Sequence, residues 1–308
     1  HTAYRRQRQM CIRDSLDIME TSLLPLTGFW RNSWQFSRPH TVVGTSLSVF
    51  ALFVLALKIT TTPLNVVSLG QGLGVWLACI FGNIYIVGLN QLEDIEIDKI
   101  NKPLLPLASG AFSYGLGQSI VIITGILALV VAAILGPWLF LTVAISLTIG
   151  TAYSLPPIRL KRYPFWAALC ILTVRGVIVN LGLFSHFTQV FQDRVELSPP
   201  VILLTIFIFI FTLGIALFKD VPDTEGDLAY QIKTYTILVG KGTIFKITLG
   251  VISSCYLLLI ITGMQGTVHL NRWLMVLAHL LLLIFLFFQA RQVKLEQQES
   301  VSQFYQLI

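Results

Sequence analysis

Residues 90–98 read Asn90-Gln91-Leu92-Glu93-Asp94-Ile95-Glu96-Ile97-Asp98, at the end of an apolar run and just before Lys99 and an Asn101-Lys102-Pro103 turn. Asn90, Asp94 and Asp98 are spaced four apart, so on a helix their side chains stack on one face, with Glu93 close to it. Ile95 and Ile97 point elsewhere. Oxygen-bearing side chains crowded at the end of a greasy helix are costly unless something positive lies between them. Hard divalent cations take such ligands, and magnesium typically comes in with phosphate oxygens.

A second acidic run, Lys219-Asp220-Val221-Pro222-Asp223-Thr224-Glu225-Gly226-Asp227, also follows a long apolar stretch. Asp220, Asp223 and Asp227 are spaced i, i+3, i+7, again one helical face. Two acidic faces at the ends of two apolar helices predict a pair of Mg2+ ions holding one diphosphate. Asn90, Asp94 and Asp98 would ligate from one side, and Asp220, Asp223 and Asp227 from the other. The chain has only fifteen acidic residues, so two such clusters carry weight where one would not.

The rest of the composition sets the class. Of 308 residues, 55% are hydrophobic and 12% charged, against about 25% charged in soluble domains. Mean hydropathy is +0.77. Apolar runs of about 20 residues imply an all-α polytopic membrane protein. Spans are expected near 41–58, 68–90, 113–135, 138–154, 165–187, 201–218, 243–261 and 273–289. Gly72, Gly74, Gly82 and Gly88 mark the second as a helix that neighbours approach closely. The net charge of +6 reflects Lys and Arg in short loops rather than a nucleic-acid surface, and no obligate protein partner is evident. Cys79, Cys170 and Cys255 read as small apolar core residues; Cys11 lies outside the apolar runs. Residues 1–28 read as a lead-in, amphipathic, disordered or foreign to the mature protein, and 29–308 as a single transmembrane domain. The last residues, 303–308, read as the start of a further, truncated span.

Topology brings the charged groups together. With a cytoplasmic N-terminus, both acidic runs and the basic cluster Arg159-Leu160-Lys161-Arg162 fall on the cytoplasmic side, as do Arg291 and Lys294. The opposite edges carry only Lys58, Arg194 and Arg272, as the positive-inside rule requires. One face therefore holds metal ligands and phosphate-binding cations. The chemistry this suggests is ionisation of an allylic diphosphate, with Arg159, Lys161, Arg162 and Lys219 stabilising the leaving group. Asp94, Asp98, Asp223, Asp227 and Lys161 are the catalytic candidates. Arg175 lies inside the fifth span, where a charge is costly and usually functional. Intramembrane charges and a two-motif arrangement also occur in transporters, the rival class.

At these two motifs the chain resembles the UbiA superfamily of intramembrane aromatic prenyltransferases. The 90–103 stretch, Leu105-Pro106-Leu107-Ala108-Ser109-Gly110, Arg38-Pro39-His40-Thr41 and Tyr153-Ser154 are most similar to the homogentisate phytyltransferase branch of tocopherol synthesis. Homogentisate solanesyltransferases and plant flavonoid prenyltransferases are near relatives of that branch. The resemblance implies nine transmembrane helices around a central cavity, of which eight fit here. It implies Mg2+-dependent transfer of a phytyl group from its diphosphate to homogentisate, with decarboxylation, giving 2-methyl-6-phytylbenzoquinol. A solanesyl or geranylgeranyl donor, or another phenol acceptor, is the alternative. Arg175 or Arg38 would bind the acceptor carboxylate, with Tyr153 beside it. The expected location is a cyanobacterial thylakoid or plasma membrane, or a plastid membrane, with the acidic motifs on the cytoplasmic or stromal side.

Overall fold

A computed structural model describes residues 28–230, 232–266 and 271–308. The lead-in up to residue 27, with Cys11, lies outside them. The described residues contain helices and connecting loops and no strand. Eight helices are long and apolar enough to cross a bilayer: Pro39–Thr60, Val66–Glu93, Tyr114–Leu135, Pro137–Ser154, Pro164–Gln192, Pro199–Phe218, Lys241–Gln265 and Arg272–Ala290. Seven of the eight expected spans lie inside one of them, and the third begins one residue before its helix.

Local chemistry explains the boundaries. Four of these helices start on proline in the first turn, where its missing N–H costs nothing. The second starts on a capping box: the Ser68 backbone N–H donates to Asn65 Oδ1, and the Asn65 backbone N–H donates to Ser68 Oγ, each at 2.9 Å. Residues 28–36 form a helix ahead of the first span.

The first five spans close around an apolar core that includes Leu52, Phe53, Ala78, Ala128, Leu139, Leu183 and Phe187. A smaller cluster of Phe36, Leu89, Leu92, Leu107, Phe112 and Val121 packs beneath the first acidic motif. Gly88 permits that packing, since a Cβ there would sit 2.7 Å from Val121 and 2.8 Å from Phe36. Buried Gln91 ties the motif down, donating to the Phe36 carbonyl at 2.8 Å. Asn83 donates to Thr41 Oγ1 at 3.0 Å, an interhelical bond. A third cluster joins Phe218, Val221, Ile244, Ile252 and Leu286 to Val301 and Phe304. Of residues 303–308, read as the start of a ninth span, all but Ile308 belong to a helix, Gln298–Leu307, that lies on the second motif's loop. Its Gln298 donates to the Pro222 carbonyl at 2.9 Å.

Two local expectations change. Neither acidic motif is one continuous helical face. The second span ends at Glu93, and Asp94 is the junction to a short helix, Ile95–Asn101. The i, i+4 spacing survives because the Asp98 N–H still donates to the Asp94 carbonyl, at 2.7 Å. In the second motif Asp220 lies in the turn after Phe218, Asp223 precedes the short helix Thr224–Ala229, and Asp227 lies on it. Polar side chains compete with the backbone at both span ends, which favours caps and turns over an unbroken helix.

Candidate active site

The two short helices pack on each other and bring the motifs together. Asn101 Oδ1 accepts from the Gly226 backbone N–H at 2.8 Å. A Cβ on Gly226 would lie 2.5 Å from that same oxygen, so only glycine allows this docking. Lys102 spans the gap. Its ammonium pairs with Asp223 and sits 3.9 Å from Asp98.

Asp94 is a hub. It takes Arg159 at 2.9 Å on one carboxylate oxygen and Lys161 at 2.5 Å on the other. Asn90 Nδ2 also donates to it, at 3.2 Å. Arg38 reaches Asn90 at 3.5 Å and Asp98 at 3.8 Å. Both Arg38 and Arg159 hold left-handed backbone conformations, with φ of 53° and 39°. Residues other than glycine rarely adopt that region, and such strain gathers at functional sites. Lys219 pairs with its neighbour Asp220.

Burial and charge shape the ionisation. Burial pushes the Asp98 carboxyl up, against the pull of Arg38 and Lys102 and with a push from Asp94 and Asp223. Asp227 is raised to about 7, first by burial and then by Asp220 and Asp223. Burial opposes the Lys219 charge, but Asp220, Tyr153 and Tyr305 together outweigh it and hold the ammonium well above the usual lysine range. Burial lowers Lys161 despite Asp94 beside it.

Magnesium requires hard oxygen donors, and these are what the motifs present. Among the described residues no three acids, histidines or cysteines converge on one point; cations lie between the carboxylates instead. Buried Asp98 Oδ2 has no hydrogen-bond partner among the described residues. That oxygen lies 3.8 Å from Arg38, while Oδ1 faces Lys102 and, beyond it, Asp223 of the second motif; a buried carboxylate so placed fits a divalent cation.

Arg162 is exposed and is not drawn into this constellation. Tyr153 lies against Lys219 near the second motif. Arg175 sits on a π-helical turn, Leu172–Ile178, inside the fifth span. Asn180 donates to the Arg175 and Gly176 carbonyls at 3.0 Å, satisfying groups that the wide turn frees. The Arg175 side chain is exposed and points towards Gly44 on the first span. The sequence reading assigned no role to Lys102 or Asn101. A lysine and an asparagine just before a proline look like an ordinary turn. An apolar groove of about 750 Å³ between the second, third and fourth spans carries none of the charged groups described here.

The model of the UbiA prenyltransferase family matches residues 44–308. The homogentisate phytyltransferase of Synechocystis sp. is 50% identical over 276 residues, 89% of this chain and 90% of that protein. The chloroplastic homogentisate phytyltransferase 1 of Arabidopsis thaliana is 37% identical, covering 98% of this chain and 74% of its own length. A UbiA homologue from Archaeoglobus fulgidus, solved bound to GPP and Mg2+, shares the fold with a TM-score of 0.62 at 16% identity, over 89% of this chain and 94% of that one. A family match over most of the chain, a relative identical at half its positions and a shared helical fold leave no room for the transporter reading: the chain belongs to the UbiA prenyltransferase family.

Proposed function

We propose that this protein transfers a phytyl group from phytyl diphosphate to homogentisate, with Mg2+, in an integral membrane site. The observation that carries the reading is the meeting of the two acidic motifs across Lys102 and Asn101, with Arg159 and Lys161 against Asp94. This arrangement suits a diphosphate and its metal ions. The 50% identity to the Synechocystis phytyltransferase supports the acceptor and donor. The same likeness, with the chloroplastic plant relative, supports a thylakoid, cyanobacterial plasma or plastid membrane.

Asn90, Asp94 and Asp98 on one side, and Asp220, Asp223 and Asp227 on the other, would hold the metal. When bound, magnesium neutralises charge building on the diphosphate oxygens. Arg159, Lys161, Lys102 and Lys219 receive the leaving diphosphate as the carbon–oxygen bond breaks with its electron pair. A ring carbon of homogentisate bonds to the prenyl carbon and the ring loses a proton. Carbon dioxide leaves, and the benzylic carbon takes up a proton. Arg38 is already engaged by Asn90 and Asp98, whereas Arg175 pairs with no carboxylate among the described residues. Arg175 therefore binds the acceptor carboxylate.

The test uses membranes containing the protein, magnesium, labelled homogentisate and equal phytyl, geranylgeranyl and solanesyl diphosphates. A decarboxylated phytylquinol is the expected main product. A solanesyl or geranylgeranyl product keeps the mechanism and changes the donor. No product from folded protein overturns the reading. Arg175→Leu is expected to raise the acceptor KM about ten-fold or more while leaving the donor KM unchanged, since a charged hydrogen bond is worth about 1.5–3 kcal/mol. An unchanged acceptor KM removes Arg175 from this role.

Asp227 gives the site a pH dependence. Its carboxyl is raised above its ordinary value, so in metal-free protein its contribution to stability is full below about 4 and is lost as pH rises through about 7. Metal binding has the opposite sign, because a ligand must be deprotonated. Half-saturating magnesium is expected to fall about ten-fold between about pH 6 and pH 8. In Asp227→Asn that slope should flatten; a slope identical to wild type excludes Asp227 as its source.

A further inference from the structure

The prenyl transfer needs a base for the ring proton, and the carboxylates of the two motifs belong to the diphosphate end of the site. Asp94, Asp98, Asp220 and Asp223 lie against cations at the diphosphate end. A base for the acceptor has to sit near Arg175 instead.

His40 does. It lies in the first turn of the first span, with its side chain exposed and no hydrogen bond to it among the described residues. One turn further along that helix face is Gly44, where a Cβ would stand 3.9 Å from Arg175 Nη2. The Tyr305 ring meets the imidazole edge-on, with centroids 6.4 Å apart. Tyr305 in turn lies near enough to Lys219 to act on its charge. The fields of Arg38, Arg175 and Lys102 all reach His40. The imidazole is thus within reach of both the charge assigned to the acceptor, Arg175, and one assigned to the diphosphate, Lys102. A neutral imidazole keeps one ring nitrogen free to accept a proton.

We propose that His40 is the general base that takes the ring proton of the acceptor, a reading that rests on the function proposed above. The ring carbon forms its bond to the prenyl carbon, and the carbon–oxygen pair leaves with the diphosphate. The ring C–H proton moves to the free imidazole nitrogen, and its electron pair restores the aromatic ring. The imidazolium then releases the proton to water. Decarboxylation takes one proton back from water at the benzylic carbon, so the two steps leave no net proton behind.

The experiment measures product formation by wild type, His40→Gln and His40→Asn in membranes, with ordinary and ring-deuterated homogentisate. Wild type is expected to show an isotope effect near one. His40→Gln should turn over about 100-fold more slowly, with the acceptor KM within about three-fold and a primary isotope effect above about two. Ring deprotonation has then become limiting, which a merely structural loss would not produce. The isotope effect is a ratio and does not depend on how much of the variant folds; if His40→Gln yields no active protein, His40→Asn is read the same way. Turnover within about three-fold of wild type, or a slowed variant with an isotope effect of one, overturns the assignment. Wild type that makes product while the variants show no isotope effect sinks His40 alone. Wild type that makes no prenylated homogentisate sinks the proposed function, and His40 with it.

Discussion

Asp94→Asn is expected to lower turnover by about a thousand-fold or more in a protein that still folds and inserts. Asparagine keeps the shape and removes the charge. Asp94 is the point where Asn90, Arg159 and Lys161 converge, so the loss is not confined to one ligand. Arg159 and Lys161 are left largely buried without their counter-charge, which costs several kcal/mol when one partner of a buried pair is removed. A thousand-fold loss corresponds to about 4 kcal/mol of transition-state stabilisation. Folding should survive because Asp94 sits at a helix junction, outside the apolar clusters that hold the spans together. Magnesium-dependent pyrophosphate release, product formation and thermal unfolding of the solubilised protein check this together. Turnover within ten-fold of wild type would remove Asp94 from the metal site. An unfolded variant would assign it to structure instead. Asp223→Asn should behave alike.

Most of the architecture was legible in the residues. Apolar runs set off by Pro39, Pro137 and Pro199 fixed where the spans lie, because a helix in lipid must satisfy its own backbone. The two acidic runs stood out because charge is scarce in this chain. The break at Asp94 was hidden, since i, i+4 spacing looks the same across a junction that keeps one backbone hydrogen bond. The π turn at Arg175 was hidden for a similar reason. It adds a residue to the turn without changing composition, and its signature, Asn180 donating to two carbonyls, shows only in three dimensions. His279 bonds within its own helix, to the Met275 carbonyl at 2.7 Å, a partner that composition alone does not reveal. Lys102 was illegible because its partner Asp223 is more than a hundred residues away. Nothing in a turn of lysine and proline says which distant carboxylate it meets.

Lys102→Met is expected to do two opposite things. Turnover should fall by about a thousand-fold, and half-saturating magnesium should fall by about ten-fold. The first effect follows from the loss of a cation at the leaving group, where one preorganised donor alone is worth about 100- to 1000-fold. The second follows from competition. The Lys102 ammonium lies between Asp98 and Asp223, where it neutralises the carboxylates that magnesium would use. Methionine keeps the length and removes the competing charge, so the acids repel each other until a cation joins them. About 1.4 kcal/mol of that repulsion is enough for a ten-fold change. The lysine is a third exposed, so water screens the pair and the shift should not be much larger. The motifs should stay docked in the variant, because Asn101 still accepts from the Gly226 N–H. Magnesium titration followed by tryptophan fluorescence reads the affinity without needing activity. Lys102→Arg should restore both values part of the way. If half-saturating magnesium rises in Lys102→Met instead, the lysine holds the two motifs together more than it competes with the metal.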